Sequence, residues 1–211
     1  MGLYRINPTG RFIELGYDRE FNKFLTGFEV DNIDGIGENF DNNNYNKFTI
    51  DWKEYIRVPF LKNHALNLDM RAGFIDTKID SFFNFFTGGM LGVRGYPYYS
   101  IEGRKMLLGR VTYRFPLLSN LDTRLFHLYF DKVYFAGFFD AGNAFNGSVR
   151  LDEFRKSAGF QIRMDSNSFY ALPTRFSFTA AYAMDEFANS RQIYGKEWRF
   201  YFGLAFGFFD N

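Results

Sequence analysis

The sequence predicts an all-β protein, a segment of an antiparallel transmembrane β-barrel with about eight strands. Three observations carry this. First, apolar and polar residues alternate with a period of two in segment after segment, which puts alternate side chains on opposite faces of a strand. Second, aromatic residues make up 22% of the 211 residues, with 30 Phe and 14 Tyr, while 23% are charged. A soluble core would struggle to bury that many rings beside that much charge, whereas a barrel turns one face to lipid and the other to water. Third, the polar faces keep their charges at mid-strand, as a hydrated lumen permits.

In chain order, Ile13, Leu15 and Tyr17 oppose Glu14, Gly16 and Asp18, the weakest of the patterns. Residues 20–45 are rich in Asn, Asp and Gly and read as a long loop. Phe48, Ile50, Trp52 and Ile56 then oppose Lys47, Thr49, Asp51, Lys53 and Arg57, with Glu54 the one misfit. A short turn at 58–63 contains Pro59. Leu66, Leu68, Met70, Ala72 and Phe74 oppose Ala65, Asn67, Asp69, Arg71 and Gly73. A second long loop, residues 76–104, follows.

Val111, Tyr113 and Phe115 oppose Arg110, Thr112 and Arg114. Val133, Phe135, Gly137 and Phe139 oppose Tyr134, Ala136, Phe138 and Asp140. Ala158, Phe160, Ile162 and Met164 oppose Ser157, Gly159, Gln161 and Arg163. Phe176, Phe178, Ala180, Tyr182 and Met184 oppose Arg175, Ser177, Thr179, Ala181 and Asp185. The last segment is the clearest: Trp198, Phe200, Phe202, Leu204, Phe206 and Phe208 on one face, Arg199, Tyr201, Gly203, Ala205 and Gly207 on the other. Strands of roughly 10–14 residues are expected, the length a tilted membrane strand needs. One domain covers 1–211. With a periplasmic C-terminus, the two longest loops count back to the extracellular side.

Several function classes are excluded. Lys plus Arg is 25 and Asp plus Glu is 24, a net charge of +1, which gives no reason to expect nucleic acid as a partner. Mean hydropathy is −0.27, and no stretch approaches the roughly 18–20 apolar residues of a membrane helix. Cysteine is absent, so neither a disulfide nor a thiolate metal site is available. His64 and His127 are the two histidines, too few for a His-rich metal site. No phosphate-binding glycine loop, His-Glu-x-x-His or nucleophile elbow occurs, so no enzyme, cofactor or metal is expected. Asp31, Asp34, Glu38 and Asp41 lack the EF-hand spacing and read as a solvated loop. Asp152-Glu153 and Asp185-Glu186 read as solvated turn charges. Met1-Gly2-Leu3-Tyr4-Arg5 has no basic region followed by an apolar one, so an export signal is expected elsewhere.

Four motifs remain. The long loop carries Leu91-Gly92-Val93-Arg94-Gly95-Tyr96-Pro97, and the next segment ends Val111-Thr112-Tyr113-Arg114-Phe115-Pro116. The one after reads Phe138-Phe139-Asp140-Ala141-Gly142, and the last reads Tyr201-Phe202-Gly203-Leu204-Ala205-Phe206-Gly207-Phe208-Phe209. In this order they resemble the bacterial surface antigen family, which includes the BamA and TamA assembly proteins and the two-partner secretion transporters. The resemblance implies the last half of a barrel of about sixteen strands. It implies a loop tip, Val93, Arg94, Gly95 and Tyr96, that folds back into the barrel. Its Arg94 would meet Asp140 of an inner-wall motif that also holds Phe138 and Gly142. The family often has Glu where this chain has Thr112. The final strand, with Tyr201, Gly203, Phe206 and Phe208, resembles the family's assembly signal.

The function so implied is help with the insertion or translocation of polypeptides at the bacterial outer membrane. The implied partners are outer-membrane lipid, a client polypeptide and periplasmic accessory proteins. A lateral seam between the first and last strands of the barrel is where a client strand would pair. The rival readings are a secretion pore, a membrane anchor for an N-terminal enzyme or propeller domain, and a plain structural barrel.

Overall fold

The computed structural model describes residues 9–31, 35–119, 121–169, 172–188 and 192–207. The main sheet has nine strands, all antiparallel to their neighbours. Its long members, in chain order, are β1 (Gly10–Asp31), β2 (Gly35–Arg57) and β3 (Ala65–Ile75). After the short β4 (Phe85–Phe86) and β5 (Glu102–Gly103) comes β6 (Lys105–Leu118). Beyond the short β7 (Thr123–Leu125) lie β8 (Leu128–Phe145), β9 (Arg155–Ser168) and β10 (Leu172–Ala183). The two-residue β11 (Phe187–Ala188) and β12 (Ile193–Tyr194) precede the last strand, β13 (Trp198–Phe206).

Spatial order is β1-β2-β3-β6-β8-β9-β10-β13, with β7 paired to β8. Each long strand neighbours the next, a meander. The sheet does not close: among the described residues β1 pairs with β2 alone and β13 with β10 alone. Among the described residues, helix is confined to two single 3-10 turns, Ser81–Phe83 and Leu151–Glu153.

The alternation sets the two faces. On the outer face, Leu15 is 74% and Phe202 73% exposed, as lipid-facing side chains would be. On the other face of β8, Tyr134, Ala136, Phe138 and Asp140 are all buried. At Phe138 and Asp140 that burial comes from the β3–β6 loop, whose Arg94 packs against both. Glu54, the misfit of the alternation, has a local explanation. Its carboxylate accepts from Arg11 Nε at 2.6 Å and from Trp52 Nε1 at 3.2 Å, so the outer face there carries a paired charge.

Residues 20–45 depart from the sequence reading. They form no loop. β1 and β2 stay paired from Glu20↔Tyr45 to Asp31↔Gly35, with one bulge between Leu25 and Gly27. These two strands run 22 and 23 residues, well past the expected length. Polar residues occupy both faces because, among the described residues, this ribbon has no third strand beside it and water can reach both sides. Lys23 lies over the Phe40 ring at 4.2 Å, and Thr26 Oγ1 donates to Asn39 O at 3.1 Å across the ribbon. At its base, Tyr45, Ile75 and Phe85 form a small buried cluster.

Candidate functional site

The loop of residues 76–104 is built as a scaffold for its own tip. Asp80 caps the 3-10 turn by accepting the Phe82 N–H at 2.9 Å, and β4 pairs with β5. Thr87 N–H donates to Ile101 O at 3.0 Å, and Val93 N–H donates to Thr87 O at 2.6 Å. Tyr96 N–H returns to Val93 O at 3.1 Å, which closes a turn over 93–96. A side chain at Gly92 would sit 1.8 Å from Thr87 O, so the close approach of the two loop limbs requires glycine.

The tip lies on the inner wall. Arg94 Nε donates to Asp140 Oδ2 at 2.8 Å and Nη2 to Oδ1 at 2.6 Å, a two-pronged match of guanidinium to carboxylate. The Arg94 backbone N–H adds a third bond to Oδ2 at 3.1 Å, and Ser157 Oγ adds another at 3.2 Å. Asp140 is 0% and Arg94 7% exposed. Arg94 Cζ stands 3.4 Å above the Phe138 ring centroid, so the cation is stacked as well as paired. Gly142, two residues on, leaves room for the tip: a Cβ there would come within 3.1 Å of Val93 Cγ2.

Tyr96 is fully buried. Its hydroxyl donates to Asp185 O at 2.7 Å and accepts the Asp185 N–H at 3.1 Å. Asp185 is thus more than a turn charge, and its carboxylate also accepts the Lys156 N–H at 2.7 Å. Val93 and Tyr96 pack with Ile101, Leu108, Ala144 and Ala183 in one apolar cluster. Gly95 lies against the wall, where a Cβ would be 2.7 Å from the Ala183 backbone.

The last strand also reaches the tip. Tyr201 hydroxyl donates to Arg94 O at 2.7 Å, and Arg199 Nε donates to Gly95 O at 3.1 Å. Gly203 sits opposite Ser177, whose Oγ would be 2.6 Å from an added Cβ. Phe206 points outward and is exposed, and Phe208 lies outside the described residues. Five strands therefore meet one turn of loop: β6, β8, β9, β10 and β13.

Motif reading alone missed several participants. Arg110 is the direct cross-strand partner of Asp140, and its Nε lies 3.3 Å from Oδ1. Arg110 Nη2 also donates to Gly92 O at 2.5 Å, so it grips the loop from the wall. The charges continue outward from there: Arg110 to Asp69 at 3.8 Å, Asp69 to Arg71 at 3.4 Å, Arg71 to Asp51 at 3.0 Å. The signal was present as inward parity. What was missing was the register that lines these residues up. Thr112, in the position where the resembled family often has Glu, is buried beside this row. Among the described residues no three His, Asp or Glu side chains gather to hold a metal ion.

The model described as the Omp85 superfamily domain matches residues 24–208. Comparison with curated proteins and with solved structures gave no match. The family match covers most of the chain and agrees with an open, all-antiparallel sheet of long strands. This chain belongs to the Omp85 superfamily.

Proposed function

We propose that this chain forms the closing wall of an outer-membrane barrel that helps polypeptides insert into, or cross, the outer membrane. Membership of the superfamily supports the general activity and the location. One observation supports the more specific reading. β13 has an aromatic outer face and, among the described residues, one unpaired edge, and the loop tip grips it from the inner side through Tyr201 and Arg199.

In lipid, an unpaired row of N–H and C=O groups costs several kcal/mol per group, so such an edge must be paired. The partner can be a strand of the same barrel or, transiently, a strand of a client. Addition of a client strand to an edge uses main-chain hydrogen bonds and is tolerant of sequence. The tip fixes the edge strand in the plane of the wall, so the edge stays aligned while its partner changes. In this reading loop 76–104 enters from the extracellular end, and β13, which ends at Phe206, is the strand a client meets.

The test is a photo-crosslinking residue at Ala205 of the full-length protein in growing cells. Crosslinks to newly made outer-membrane polypeptides are expected, and they should fade once synthesis stops. Crosslinks confined to the protein's own strands, unchanged by synthesis, would overturn the reading.

A further inference from the structure

A second feature of the inner wall borders the loop anchor and shares Arg94 and Arg110 with it. Beneath the tip lies a cavity of about 360 Å3. Its lining includes five cationic side chains, Lys53, Arg71, Arg94, Arg110 and Arg114, against a single carboxylate, Asp69. Arg94 is committed to Asp140, and Arg71 reaches Asp51 and Asp69. Arg110 is shared between Asp140 and Asp69. Lys53 and Arg114 have no ion pair among the described residues, although Lys53 is the cross-strand partner of Asp69.

Unsatisfied polar atoms concentrate at the same place. Among the described residues, the donors Arg71 Nε and Arg110 Nε are buried without an aligned hydrogen bond, and both residues line this cavity. The two Nε atoms sit within ion-pair distance of carboxylates, yet outside hydrogen-bond geometry. A confined surplus of positive charge with spare donors is costly unless an anion answers it. Guanidinium forks fit the two oxygens of a carboxylate or of a phosphate.

We infer that this cavity binds an oxyanion, a carboxylate or phosphate group, held by Arg114, Lys53 and the free donors of Arg110. The inference does not depend on a client strand pairing with β13. Two sources share the chemistry: a small free anion, and an acidic side chain on a polypeptide within the barrel.

The experiment is calorimetric titration of the purified full-length protein in detergent. One arm uses inorganic phosphate and the other a short oligoglutamate peptide, each at ionic strength matched with chloride. Binding is expected in at least one arm. Arg114→Gln should weaken it about tenfold or more, the scale of a charge-assisted hydrogen bond. Lys53→Gln should weaken it as well, and Arg114→Lys should restore part of the loss. Lys196→Gln, at a surface ion pair far from the cavity, should leave it unchanged. Binding in the phosphate arm alone identifies a free anion, and preference for oligoglutamate identifies an acidic polypeptide. If Arg114→Gln fails to fold, Lys53→Gln and Arg114→Lys still decide. No binding in either arm, or binding that ignores both positions, would overturn the inference.

Discussion

Replacing Asp140 by Asn isolates the contact that seats the loop tip. The carboxylate receives three hydrogen bonds from Arg94 and one from Ser157, with Arg110 beside it. It is 0% exposed, so water cannot substitute for it. The amide is almost the same size, so packing is kept while the charge goes. Two guanidinium groups would then face a neutral side chain. Removing one partner of such a buried pair costs about 3–5 kcal/mol. Set against the docking equilibrium of the loop, that is roughly two to four orders of magnitude in the docked fraction. The strand pairs on both sides of Asp140 are backbone bonds and survive the change. The chain has no cysteine, so Val93→Cys supplies a single reporter at a position that is fully buried while the tip is docked. Maleimide labelling should be slow in that background and at least a hundredfold faster with Asp140→Asn, while circular dichroism stays that of a β-protein. Equal labelling rates in the two backgrounds would refute the argument, because the tip would then be held by its apolar contacts alone.

Three further outcomes follow from other positions. Gly95→Ala should speed labelling of the same reporter, because the added methyl meets the Ala183 backbone at 2.7 Å and neither side can yield cheaply. Phe202→Arg places a charge on the lipid face and should lower barrel stability by about 2–4 kcal/mol if it lies near the bilayer midplane, read by denaturant titration in lipid vesicles. The third concerns pH. Asp76 accepts the Asn46 backbone N–H at 2.9 Å and its side-chain amide at 2.5 Å, which holds its carboxyl down at about 2 against an ordinary 3.8. A depressed carboxyl stabilises the fold above its ordinary value and loses that contribution as pH falls from about 4 towards 2. Hydrogen exchange at Asn46 should therefore accelerate across that range and become pH-independent, after correction for intrinsic exchange, in Asp76→Asn.

Face and register differ in how far the sequence exposes them. The period-two pattern assigns a face to residues 133–140 of β8 and to β13, because lipid on one side and the loop-filled interior on the other impose opposite demands on neighbours. The inward parity of Asp140 is legible on that ground. The same pattern fails over residues 20–45, where β1 and β2 see water on both faces and nothing enforces alternation. Their Asn, Asp and Gly then look like loop chemistry although the backbone remains paired. Register lies beyond the pattern too. Arg110 and Asp69 each show their face, but that they stand opposite one another depends on turn lengths and bulges that composition does not encode. Tyr201 belongs to a recognisable terminal motif, yet its bond to the Arg94 carbonyl joins residues 107 apart in the chain. Only the folded wall brings them together.

The long ribbon of β1 and β2 has a consequence of reach. Pairing of β2 with β3 stops at Lys47↔Ile75, opposite Asp18 of β1. Beyond that row β1 continues through residues 19–31, thirteen residues, or about 40 Å along its own axis. A bilayer with its headgroups measures about 40–45 Å. The ribbon is therefore a stalk nearly as long as the membrane is thick. Its lower half is braced where Phe24 and Tyr45 meet Phe83 of the loop, so residues 25–31, about 23 Å of strand, extend past the brace. Past that brace, among the described residues, the two strands pair only with each other, and a pair twists and bends more readily than a wall of eight. A small rotation at the brace is therefore magnified at the far end of the ribbon, beyond the edge of the eight-stranded wall.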